Sequence, residues 1–114
     1  MSRHDDRISM RQMLDHAQRG CAMVRGRERG DLDSDYMLQL ALTRLVEIIG
    51  EAASRVSLNT REKHPGIPWS DIVGMRNRLI HGYDVVDLNL LWDTASSDLP
   101  PLIEALAAIV GEGE

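Results

Sequence analysis

The segment Arg76-Asn77-Arg78-Leu79-Ile80-His81-Gly82-Tyr83 concentrates the reactive side chains of this chain. Two guanidiniums, an amide, an imidazole and a phenol fall within eight residues. A guanidinium offers a planar fork of donors that meets a phosphate bidentately, which an ammonium does not. An imidazole, with an unperturbed pKa of about 6.5, gains or loses its proton near neutral pH. The phenol adds a hydroxyl open to modification. The types together suit phosphate binding and proton transfer.

Spacing limits how these groups cooperate. Arg76 and His81 are five residues apart, about 140° around an ideal helix, so they do not share a helix face. Asn77 and His81, four apart, do share one, and the amide could orient the imidazole. For Arg76 and His81 to meet one ligand, the helix must end near His81 or a second copy must supply part of the site. The same residues also suit an ordinary helix end. Arg and His complement the negative end of the helix dipole, and Gly82 is a common C-terminal signal.

Other candidates carry less. Glu47 and Glu51 lie one helical turn apart, as in a di-iron bundle, but no Glu-x-x-His partner accompanies them. They read as a solvated helix edge. His4, His16 and His64 show no metal-ligand spacing, and no metal or cofactor is expected. Cys21 falls on an apolar stripe and reads as a small core residue. Arg25, Arg27 and Arg29 form a second basic group in what reads as a solvated polar loop.

The whole chain constrains the class. At 114 residues it forms one domain, with about 1–5 and 111–114 frayed. A single cysteine excludes an internal disulfide and paired-cysteine zinc sites. The polar N-terminus is not a signal peptide, and no apolar run approaches the roughly 20 residues that span a bilayer, so a cytoplasmic, non-membrane protein is expected. Net charge is −5, which argues against a broad nucleic-acid grip. Yet 12 of the 13 basic residues are Arg, so a small phosphate site remains compatible with it.

The elements that must position the motif are helices. With no Phe, the core must be filled by Leu, Ile, Val, Met and Ala, which suit helix packing. The apolar periodicity predicts a first helix over about Asp6–Val24, with Ile8, Leu14, Ala17, Cys21 and Val24 inward. A second, central helix runs from about Ser34 to Val56, capped by Asp33 or Ser34, with Met37, Leu38, Leu42, Leu45 and Ile49 on its broad apolar face. Asn59–His64 forms one turn. Pro68 then opens a third helix, Trp69 to about His81. Asp87 caps a fourth, which Pro100-Pro101 must kink or break before Leu102–Val110 continues. The fold expected is all-α, an antiparallel bundle of four to five helices.

Arg-Asn-x-Leu-x-His-x-Tyr at 76–83 resembles the signature of HEPN domains, in particular the HepT-like toxins. The likeness extends to Ile49-Gly50-Glu51-Ala52-Ala53, to His64-Pro65-Gly66-Ile67-Pro68-Trp69, to Leu91-Trp92 and to Leu99-Pro100, covering most of the chain. The resemblance implies a HEPN-like homodimer with motif helices at its interface and a composite cleft. It implies metal-independent cleavage of RNA, with Arg76 and His81 catalytic. It also implies a partner antitoxin of the MNT nucleotidyltransferase type, which transfers AMP onto Tyr83. The residue types fit such chemistry. Arg76 would hold the scissile phosphate, His81 would move the proton, Asn77 would orient and Arg78 would bind a neighbouring phosphate. The competing reading is a helical module that binds nucleotide, RNA or a partner without catalysis.

Overall fold

A computed structural model describes residues 5–81 and 85–111. Four long rods make the bundle. They are α1 (Asp6–Val24), α3 (Tyr36–Ser54), α5 (Trp69–Leu79) and a last rod built from α6 (Leu88–Asp93), a π-helical turn (Thr94–Asp98) and α7 (Leu99–Val110). Two short helices join them, α2 (Arg29–Ser34) and α4 (Leu58–Lys63). The all-α bundle expected from the sequence is the fold observed. α1 packs on α3 and on α7, and α3 packs on α5.

The core follows the apolar stripes. Met13, Ala17, Leu42, Ala53, Leu79, Leu91 and Leu106 are fully enclosed. Cys21 sits half-buried against the core, as a small apolar residue would. Two stripe assignments fail. Ile8 and Met37, expected on the apolar faces of their helices, are exposed.

Caps explain the helix starts. Asp35, one or two residues later than expected, accepts the Leu38 N–H and begins α3. Asp5, expected to be frayed, caps α1 by accepting from Arg7 N–H. Ser57 caps α4, and Asp87 caps α6. The supposed polar loop at 25–33 is partly helical. Glu28 and Asp31 form a reciprocal capping box that starts α2. Arg27 and Arg29 are held there by Asp35 and Asp33 at 3.3 and 2.9 Å.

Pro100 and Pro101 do not break the last rod. Its backbone passes through Asp93, Thr94, Asp98 and Leu99 in helical conformation. One turn earlier the ladder widens, and the Leu99 N–H reaches back to the Thr94 carbonyl, five residues away. The prolines then occupy the first turn of α7, where missing donors cost least.

Glycine permits one close approach that matters for the motif. A Cβ built on Gly50 would lie 3.1 Å from the Ile72 carbonyl oxygen. A side chain here would have to push the Ile72 carbonyl back by a few tenths of an ångström, so glycine lets the first turn of α5 seat this closely on α3.

Candidate active site

α5 carries the first half of the motif, and its start is fixed by Trp69. The ring is buried, and its Nε1–H donates to the His64 carbonyl at 3.0 Å. Pro68 stands one position earlier than expected, at the N-cap rather than inside the helix. From there the helix runs to Leu79, not to His81. Ile80 leaves it with φ −104° and ψ 121°, an extended conformation. Ile80 and His81 form a two-residue strand, β1, paired antiparallel with β2 (Val85–Val86). Asp87 N–H also donates to the Leu79 carbonyl at 2.8 Å. β-Branched Ile80, Val85 and Val86 favour this pairing over another helical turn.

This early stop changes the geometry expected of the motif. Asn77 and His81 are not on one helical face, because the helix has ended between them. The amide is exposed on α5, whereas His81 belongs to the hairpin. The 140° offset of an ideal helix therefore no longer describes the backbone from Arg76 to His81, and the side chain of His81 lies outside what the structure describes. Gly82 and Tyr83, to which helix termination and modification were assigned, lie outside the described residues.

Arg76 and Arg78 part company. Two positions along a helix is about 200°, so they leave α5 on opposite sides. Arg78 turns back along α5 and its Nη2 donates to the Asp71 carbonyl at 2.9 Å. It borders a mainly apolar pocket of about 300 Å³ that also meets Ile49, Ile72, Met75 and Leu102. Arg76 faces α3. Its Nε–H donates to Glu47 Oε2 at 3.0 Å. The other carboxylate oxygen of Glu47 lies 3.6 Å from Arg44, which is also 3.6 Å from Glu51. The order Glu51–Arg44–Glu47–Arg76 alternates in charge, and its last three members line a second cleft.

Glu47 is thus a site residue that the sequence reading passed over as a solvated helix edge. Its side chain is only 17% exposed, against 62% for Arg76. No spacing rule links positions 47 and 76, since the contact depends on how α5 seats on α3. An ion pair this accessible contributes under about 1 kcal/mol to stability. Its consequence is therefore geometric, in fixing where one cation sits. The cleft holds about 430 Å³ and is bounded by Tyr36, Leu40, Arg44, Arg76, Ile80 and Val86. Tyr36 and Leu40 are exposed apolar side chains on its rim, 70% and 53% open.

Among the described residues, no group of three or more His, Cys, Asp or Glu side chains is placed to hold a metal ion. Among them, too, no helix is long and apolar enough to cross a membrane.

Residues 13–109 match the model of the family described as "HepT-like: Ribonuclease HepT-like". The chain belongs to the HepT-like ribonuclease family. Its HepT-like relatives include "Putative RNase TTE0752" of Caldanaerobacter subterraneus subsp. tengcongensis, 36% identical over 88% of this chain and 93% of the relative. "Putative RNase MJ1380" of Methanocaldococcus jannaschii is 33% identical over 90% and 94% respectively. "Probable ribonuclease HepT" of Thermococcus cleftensis is 42% identical over a shorter stretch, 63% of this chain and 66% of its own. No solved structure matches the HepT-like chain.

Proposed function

We propose that this HepT-like chain is the toxin of a toxin–antitoxin pair, an endoribonuclease that cleaves RNA without a metal ion. The observation that carries this is the placement of the motif within a family match spanning residues 13–109. α5 delivers Arg76 to an open cleft edge, and the chain turns out of the helix immediately before His81.

Arg76 holds the scissile phosphate and offsets the charge that grows on its non-bridging oxygens. The ribose 2′-oxygen attacks phosphorus as it loses its proton, and the 5′-oxygen leaves as it gains one. The products are a 2′,3′-cyclic phosphate and a 5′-hydroxyl. His81 supplies or accepts one of these protons. Asn77, exposed beside Arg76, orients the substrate rather than the imidazole. Arg78, on the far side of α5, meets a phosphate further along the strand.

The active form is a homodimer. Tyr36 and Leu40 present an exposed apolar rim on the cleft that Arg76 borders. The neighbouring charges alternate in sign, so a two-fold axis can set the Arg of one copy against the Glu of the other. A second copy would bring a second Arg76 and His81 to the same cleft. The antitoxin is a nucleotidyltransferase of the MNT type, and it silences the enzyme by transferring AMP to Tyr83. The transferred group would add bulk and negative charge beside the phosphate site.

Incubation of the purified protein with RNA in chelator tests the reading. Wild type should leave cyclic-phosphate ends, while His81→Ala and Arg76→Ala should lose at least about 100-fold in rate, the scale of general acid–base and electrostatic contributions. Variants that cleave like wild type exclude these roles, and binding without cleavage identifies a non-catalytic module. Intact mass after co-expression with the transferase should rise by AMP in wild type and not in Tyr83→Phe.

A further inference from the structure

We infer that Glu47 is the positioning residue of the phosphate site, setting the guanidinium of Arg76 in its working orientation from the neighbouring helix. The inference rests on the ribonuclease reading above and adds to it a residue outside the motif.

A guanidinium on a long side chain must be oriented before it can clamp a phosphate. Arg76 is 62% exposed, so packing alone does not fix it. Its held atom is Nε, which donates to Glu47 Oε2 at 3.0 Å. A guanidinium anchored through Nε can still turn its Nη1–Nη2 edge outward, and that edge meets a phosphate with two parallel donors. A carboxylate gripping the Nη1–Nη2 edge instead would compete with substrate. The contact observed is the kind that orients the fork while leaving its recognition edge available.

Glu47 is suited to hold rather than to be held. It belongs to the middle of the 19-residue helix α3, which lies against both α1 and α5. Its side chain is mostly covered, and its second oxygen is drawn toward Arg44 at 3.6 Å. One carboxylate thus serves two cations through separate oxygens, which limits its own rotation. Arg44 is itself steadied by Glu51, one helical turn beyond Glu47. The anchor depends on α5 packing closely on α3, the approach that Gly50 permits.

Three variants and two readouts test this. Glu47→Ala removes the anchor, Glu47→Gln keeps the shape and one accepting oxygen without the charge, and Arg76→Ala reports the parent reading. The first readout is the side-chain Nε–H resonance of Arg76 in the 15N-labelled protein. It should be sharp and slow to exchange in wild type, and broadened or lost in Glu47→Ala. The second is cleavage of a model RNA. Glu47→Ala should lower kcat roughly 10- to 100-fold, as expected for a misplaced catalytic group, with a smaller change in KM. Glu47→Gln should recover part of it, and melting temperatures should stay close to wild type.

An unchanged Arg76 resonance in Glu47→Ala overturns the inference whatever the activity. So does wild-type or raised kcat in Glu47→Ala when Arg76→Ala is inactive, and in that case the ribonuclease reading survives. If Arg76→Ala cleaves like wild type, the parent reading fails, and the positioning role fails with it even where the resonance still responds.

Discussion

Cys21 lies half-buried on α1, and its thiol points at the Ala95 carbonyl at 3.8 Å. Burial pushes its pKa up, with Arg25 opposing the shift. The folded chain therefore keeps the thiol proton to a higher pH than the unfolded chain. The sign follows by linkage. The group leaves stability unaffected below its unfolded pKa and lowers it as pH rises from there towards the folded value. Iodoacetamide should accordingly label native Cys21 more slowly than the same cysteine in denaturant at pH 8, and equal rates would contradict the burial. Cys21 was legible in the sequence because its periodicity alone placed it on a stripe. Glu47 was not, because its partner is 29 positions away and on another helix. Arg76 and Arg78 show the same limit. Their types announced phosphate chemistry, but only the packed helix shows that they address opposite sides of α5.

At the scale of elements, the seating of α5 on α3 governs the candidate site, and two glycines separate its causes. Gly50 faces the Ile72 carbonyl at a distance a Cβ would make 3.1 Å, and neither backbone can yield easily. Gly74, on α5 itself, has nothing within 4 Å of the same position. Gly50→Ala should therefore destabilise by about 1–3 kcal/mol, the range for overpacking. Gly74→Ala should stabilise by about 0.5–1 kcal/mol, since alanine loses less backbone entropy in a helix. Thermal melts of the two variants should move in opposite directions, each by several degrees. Helix existence was well marked in the sequence by apolar periodicity and by Asp and Ser caps. Gly82 points to a helix end near His81, whereas α5 stops at Leu79. The signal available was the β-branched Ile80 facing a later Val85-Val86, which together favour a short ladder.

At the scale of the whole molecule, an acidic chain of net charge −5 carries exposed apolar side chains beside its candidate site. Tyr36 and Leu40, four residues apart on α3, are exposed on the rim of the cleft. A second copy seated there would cover them. Leu40→Glu should convert the proposed dimer to a monomer in sedimentation velocity, with the fold intact by circular dichroism. It should also slow RNA cleavage if two copies complete one site. A wild type that sediments as a monomer at micromolar concentration would remove the dimer from the mechanism. Composition and net charge bore on the class of protein but not on this rim. Its position depends on which stripe edges the neighbouring rods leave uncovered.

The widened turn at Thr94–Asp98 has a consequence for how the chain tolerates change in length. Buried Leu91, Ala95, Leu99, Leu102, Leu106 and Val110 recur at separations of 4, 4, 3, 4 and 4. An unbroken α-helix would rotate Val110 about 100° away from Leu91 over that distance. The π turn absorbs one surplus residue, so both ends of the rod face the same interior. The last rod therefore counts as an α-helix carrying a one-residue insertion, and the insertion is what keeps its two halves in phase. Deleting Ser97, an exposed residue of the widened turn, should cost more stability than deleting exposed Gly26 in the turn between α1 and α2. Comparison of soluble yield and melting temperature for the two deletions would show whether phase, rather than side-chain contact, is what that serine supplies.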